Sequence, residues 1–136
     1  MRTNKVLKVA SQGFILLSAV SLLSVSVMAF SNPQSVMDLV GVKLENTDAF
    51  SSIRGVYGGV GLTIFISLIY LMRKNLVLGL AFLSIMWGMY ALSRAITIMA
   101  EGPLGAFGTQ WIITESILFS IAIVLLLLNN KSSQQV

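Results

Sequence analysis

The 136 residues include no cysteine, no histidine and only two prolines. Those absences exclude disulfides, thiolate and imidazole metal sites, cysteine-attached haem and a Ser-His-Asp triad. Charge is scarce too: 10% of the residues are Asp, Glu, Lys or Arg, against 56% hydrophobic. Nothing in this set calls for a metal or a cofactor, and the length fits one domain. The net charge is +4, yet nucleic acid is not the expected partner. The basic residues flank apolar runs, and no basic stripe is interleaved with aromatics.

Four long apolar runs dominate what is present, the pattern of a polytopic membrane protein. They cover about 9–30, 53–72, 76–100 and 106–128. The first follows Arg2, Lys5 and Lys8 and is uncharged. Val27-Met28-Ala29 would serve as a signal cleavage site, but the run exceeds the usual signal core of roughly 7–15 residues. A retained helix is the expected reading. The polar stretch 31–52 opens on Asn32-Pro33, a stop-and-turn signal, and leaves room for a short interfacial helix over Ser35–Val42. Arg73-Lys74-Asn75 forms a tight basic turn, and Glu101-Gly102-Pro103 breaks the third helix.

The expected fold is therefore all-α, a four-helix transmembrane bundle. Arg2, Lys5, Lys8, Arg73, Lys74 and Lys131 fall on one side, and only Lys43 falls among the basic residues of the other. The positive-inside rule then places both termini in the cytoplasm, with loop 31–52 outside. A bacterial inner membrane is the expected location.

Three charges lie inside the runs: Arg54, Arg94 and Glu115. A charge at the centre of a membrane helix costs roughly 2.5–3.5 kcal/mol, so such residues face a partner or a wet cavity. Arg94 and Glu115 flank the turn at Leu104 symmetrically, which brings them to similar depth. Arg94 is roughly 8 Å below the outer end at 1.5 Å per residue. Arg54 begins its run near the same face. Helical spacing adds Trp87 and Tyr90 beside Arg94, Trp111 beside Glu115, and Tyr57 beside Arg54. These seven residues form the candidate ligand site, an aromatic-walled pocket with one positive charge in excess. A guanidinium fork suits a carboxylate or phosphate. Two other readings stand beside it. Arg94 and Glu115 would be an ion pair that only locks two helices, or Arg54 would snorkel to lipid headgroups.

Gly55, Gly58, Gly59 and Gly61 open the second run, with Gly55 and Gly59 in a G-x-x-x-G. Close helix packing within the chain is expected of them, with a homodimer or a partner membrane protein as the alternative. Ser18, Ser21 and Ser24 can bond to a neighbouring helix or to their own backbone. The methionines read as filler.

The order Asn32-Pro33, Ile53-Arg54-Gly55-Val56-Tyr57-Gly58-Gly59, Ser93-Arg94, Glu101-Gly102-Pro103 and Glu115 resembles the bacterial membrane family called domain of unknown function 4345. The resemblance covers about Val9 to Leu128. It implies four retained transmembrane helices and no assigned reaction. It also implies polar family positions at Arg54, Tyr57, Arg94 and Glu115, and a distant likeness to small four-helix proteins of the DoxX type. The expected function is to bind a small amphipathic or anionic ligand (lipid, quinone or organic acid) among membrane lipids. The alternative is an accessory subunit whose charges only fix packing. An enzyme is less expected than either.

Overall fold

In a computed structural model of the chain, residues 2–133 are described, with side chains over 5–131. The elements in order are α1 (Arg2–Ser31), α2 (Pro33–Asp38), α3 (Thr47–Ile53), a π-helical segment (Arg54–Gly59), α4 (Val60–Lys74), α5 (Leu76–Glu101) and α6 (Ala106–Ser133). No strand occurs among the described residues. The helical segments Lys5–Ser31, Thr47–Lys74, Leu76–Glu101 and Ala106–Lys131 are each long and apolar enough to cross a membrane.

Local chemistry sets the boundaries. Asn32 ends α1 and caps α2, its side chain accepting from the Gln34 amide at 3.2 Å, with proline at the start of the helix. Asn-Pro is thus a start signal as well as a stop, because proline needs no donor in the first turn. The short helix consequently occupies Pro33–Asp38, rather than Ser35–Val42. Asn46 accepts from the Ala49 amide at 2.8 Å and starts the second spanning segment at Thr47, well before the apolar run. Asn75 separates α4 from α5 and accepts from the Leu78 amide at 3.0 Å. Arg73 and Lys74 lie in the last turn of α4, where positive charge complements the helix dipole. Gly102 stops α5 at φ 102°, a conformation that suits glycine. Replacing Asn75 with alanine removes a cap, and a loss of about 1 kcal/mol is expected in detergent unfolding of the purified protein.

The four long segments form two tight pairs. One is α1 with α4 and the π segment, and the other is α5 with α6. A core of Phe14, Ile15, Ala19, Leu68, Leu83 and Ala122, among others, joins the pairs, and on α5 it reaches as far as Trp87. Beyond that level the pairs are held by separate contacts. Ala29, Val36 and Met37 form a second cluster with Val25, Leu44 and Ile53, all from α1, α2, α3 and their connections. The α5–α6 pair has its own tie, the ion pair described below.

Buried serines on α1 stitch it to the other elements. Ser11 accepts from Asn129 Nδ2 of α6 at 2.9 Å, and Ser18 accepts from Trp87 Nε1 of α5 at 3.3 Å. Ser26 donates to the Gly58 carbonyl of the π segment at 2.6 Å. A polar group away from water needs such partners, and these fix the register of α1. Ser21 and Ser24 instead donate to the α1 carbonyls of Leu17 and Ser21. The outer surface is apolar: Val6, Leu17, Tyr70, Ile85 and Met99 are each more than half exposed. An apolar exterior around a polar-stitched interior suits lipid as the surrounding medium.

Of the four glycines that open the second apolar run, Gly58 and Gly61 do the packing. A Cβ at Gly58 would lie 3.1 Å from the Phe30 ring, and one at Gly61 would lie 3.2 Å from Ser26 Cβ. At Gly55 and Gly59 a Cβ would meet nothing within 4 Å.

Candidate functional site

Arg94 sits on α5 about seven residues, or ~10 Å, before the helix ends at Glu101, and Glu115 sits ~13 Å into α6. The turn between the two helices places them side by side. Arg94 Nε donates to Glu115 Oε2 at 2.6 Å and Nη2 donates to Oε1 at 2.8 Å. This is the bidentate fork-to-carboxylate arrangement, the strongest geometry open to such a pair. The Glu115 side chain is 3% exposed and that of Arg94 22%. The carboxylate is therefore enclosed, while the Arg94 side chain is partly exposed.

One aromatic ring lies against the pair, and others are near it along the same two helices. The Arg94 guanidinium lies 5.9 Å from the centre of the Phe107 ring, within cation–π range. Phe107 in turn packs on Trp111, with centroids 6.1 Å apart. Trp87 and Tyr90 are 5.9 Å apart, and Trp87 is buried with its N–H on Ser18. Phe107 had only a sequence signal that is easy to pass over, a position one turn before Trp111 on the same helical face.

Tyr90 lies within electrostatic range of Tyr57 as well as of Arg94 and Glu115. Tyr57 comes from the π segment, so the two tyrosines belong to different helix pairs. They are 38% and 43% exposed. Neither hydroxyl has a protein hydrogen-bond partner among the described residues.

Arg54 stands apart from the pair. Its Nε donates to the Phe30 carbonyl at the end of α1, at 3.3 Å, and its side chain is exposed. No carboxylate pairs with it among the described residues. Of the seven expected ligand-site residues, the structure therefore groups Arg94, Glu115, Trp87, Tyr90 and Trp111 on the α5–α6 pair. Tyr57 approaches from the other pair, and Arg54 is turned toward α1. Two shallow hollows lie elsewhere, one at Lys5, Val6, Val9 and Ala10 and one at Gln34, Asp38 and Gly41–Lys43.

Four spanning helices with a bidentate ion pair buried between two of them define a multi-pass helical membrane protein. The family model for the domain of unknown function (DUF4345) matches residues 10–127. The chain belongs to that family. No curated protein and no solved structure matches it.

Proposed function

We propose that this membrane protein holds the polar end of a small amphipathic or anionic molecule, a lipid, quinone or organic acid, at the parting between the π segment and α5. The protein would sit in a bacterial inner membrane with its termini on the cytoplasmic side, as the charge bias favours. The observation that carries the reading is that Tyr57 and Tyr90, from different helix pairs, have hydroxyls without a protein hydrogen-bond partner among the described residues, and that Arg94 and Tyr57 both act electrostatically on Tyr90. A phenol hydroxyl left unpaired in a lipid-like medium costs several kcal/mol. A ligand carbonyl, carboxylate or phosphate would satisfy such a hydroxyl. Arg54 supplies a cation with no carboxylate partner at the same end of the bundle. Arg94 would contribute its remaining N–H groups, with Glu115 fixing the orientation of the guanidinium.

Native mass spectrometry of protein released from mild detergent tests this. The wild-type chain is expected to carry a small-molecule or lipid adduct. The Tyr57→Phe/Tyr90→Phe double variant, which leaves the ion pair whole, is expected to lose it. A wild-type chain with no adduct, or an adduct indifferent to both tyrosines, would overturn the reading.

The bidentate closure of the pair favours a second reading. Both Glu115 oxygens are committed to Arg94, so the charges would serve only to fix helix packing in an accessory membrane subunit. In that case the open Gly55 and Gly59 would be available to a second copy or to a partner helix. This reading expects no adduct and an unchanged spectrum for the tyrosine variant.

A further inference from the structure

We infer that the turn Leu39–Val42 is an interfacial anchor that lies in the headgroup–acyl boundary of the bilayer this chain spans.

The turn is built rather than loose. The Gln34 side chain is its hub: Nε2 donates to Asp38 Oδ1 at 2.7 Å and to the Val42 carbonyl at 2.8 Å, and Oε1 accepts from the Leu44 amide at 2.9 Å. The amides of Val40 and Val42 both donate to the Met37 carbonyl, and Gly41 takes φ 69° to close the turn. Pro33, Val36 and Met37 are buried and hold its base.

What this scaffold presents is apolar. Leu39, Val40 and Val42 are 47%, 53% and 49% exposed. Asp38 accepts from the neutral Gln34 amide and keeps its charge, and the exposed Lys43 is the cation that follows the tip, with no ion-pair partner among the described residues. Aliphatic side chains with an adjacent lysine suit the boundary, where the chains enter hydrocarbon and the ammonium meets phosphate.

Depth argues for the same place. Val36 and Met37 pack with Ala29 and Val25, so α2 returns along the last two turns of α1. Val25 lies about 9 Å before the end of α1 at 1.5 Å per residue. Over those same turns Val27, Met28 and Phe30 are exposed apolar residues of a membrane-spanning helix. The tip therefore leaves the bundle at the level where the lipid-facing surface ends, and continues that surface sideways.

The chain's lack of cysteine makes the test clean. Single cysteines are introduced as V40C and V42C, with E45C as the aqueous control, since all three positions are exposed. Each is labelled with an environment-sensitive fluorophore and reconstituted into vesicles of phosphatidylethanolamine and phosphatidylglycerol. The labels at positions 40 and 42 are expected to emit to the blue of the label at position 45. They should be quenched by lipids carrying a shallow doxyl group and protected from aqueous iodide, whereas position 45 is quenched by iodide. Iodide access with water-like emission at both positions would overturn the proposal. So would oxidative dimerisation through V40C with no response to doxyl lipids, which would assign the tip to a second copy of the chain.

Discussion

Arg94→Gln is expected to destabilise the bundle by about 3–5 kcal/mol, and Glu115→Gln by less, while Arg94→Met/Glu115→Leu recovers most of the loss. The measurement is the unfolding midpoint in mixed micelles of mild detergent and SDS. The magnitude follows from the asymmetry of burial. A carboxylate whose side chain is 3% exposed has no access to water when its guanidinium is removed, so the single variant leaves a desolvated charge unpaired. The double variant removes that penalty and fills the space with apolar side chains. Single variants within about 0.5 kcal/mol of wild type, the range of unremarkable surface substitutions, would mean that the pair does not hold α5 on α6.

The same measurement bears on function. The coupling energy from the double-mutant cycle isolates what the two groups do for each other. A large coupling in protein that has lost its adduct would place Glu115 as the group that orients Arg94 for a ligand. A large coupling with no adduct in any variant would reduce the pair to a clamp between the two helices. The Tyr57→Phe/Tyr90→Phe variant separates these cases, because it touches neither partner of the pair.

The sequence made some of this legible and hid the rest, for identifiable reasons. Arg94 and Glu115 could be paired on paper because a short turn joins their helices, and equal spacing from a hairpin turn fixes equal depth. Arg54 was harder. Counting residues sets depth along a helix but not direction around the bundle, and Arg54 is bonded back to the Phe30 carbonyl of α1. The serines show the same limit. Ser18, Ser21 and Ser24 look alike at helical spacing, yet only Ser18 leaves its own helix, to meet Trp87. The better signal was the longer interval from Ser11 to Ser18 to Ser26. Steps of seven and eight residues keep to one face over two turns, and all three side chains are buried. The π segment had no periodic signature at all. Its i→i+5 bonding widens the turn, so a face drawn with the 3.6-residue period is misplaced after it.

The close approach of α1 to the glycine stretch is the other strong test. Gly61→Leu is expected to cost about 3 kcal/mol, at the upper end of ordinary overpacking, whereas Gly55→Leu should stay within about 0.5 kcal/mol of wild type. Gly61 lies seven residues before the buried Leu68 and so shares the core-facing side of α4, whereas Gly55 and Gly59 do not. Gly58 and Gly61 are the glycines of the stretch that meet α1, at Phe30 and Ser26. At Gly61 the obstacle is Ser26 Cβ at 3.2 Å with the Leu22 carbonyl at 3.7 Å, and neither is the free end of a flexible side chain. A leucine there must push α1 and α4 apart and take with it the bond from Ser26 to the Gly58 carbonyl. At Gly58 the nearest atoms are those of the half-exposed Phe30 ring, which can swing outward, so Gly58→Ala should cost less than Gly61→Leu. The same SDS titration ranks the three variants. A loss at Gly55 as large as that at Gly61 would show that the G-x-x-x-G, rather than Gly58 and Gly61, faces α1.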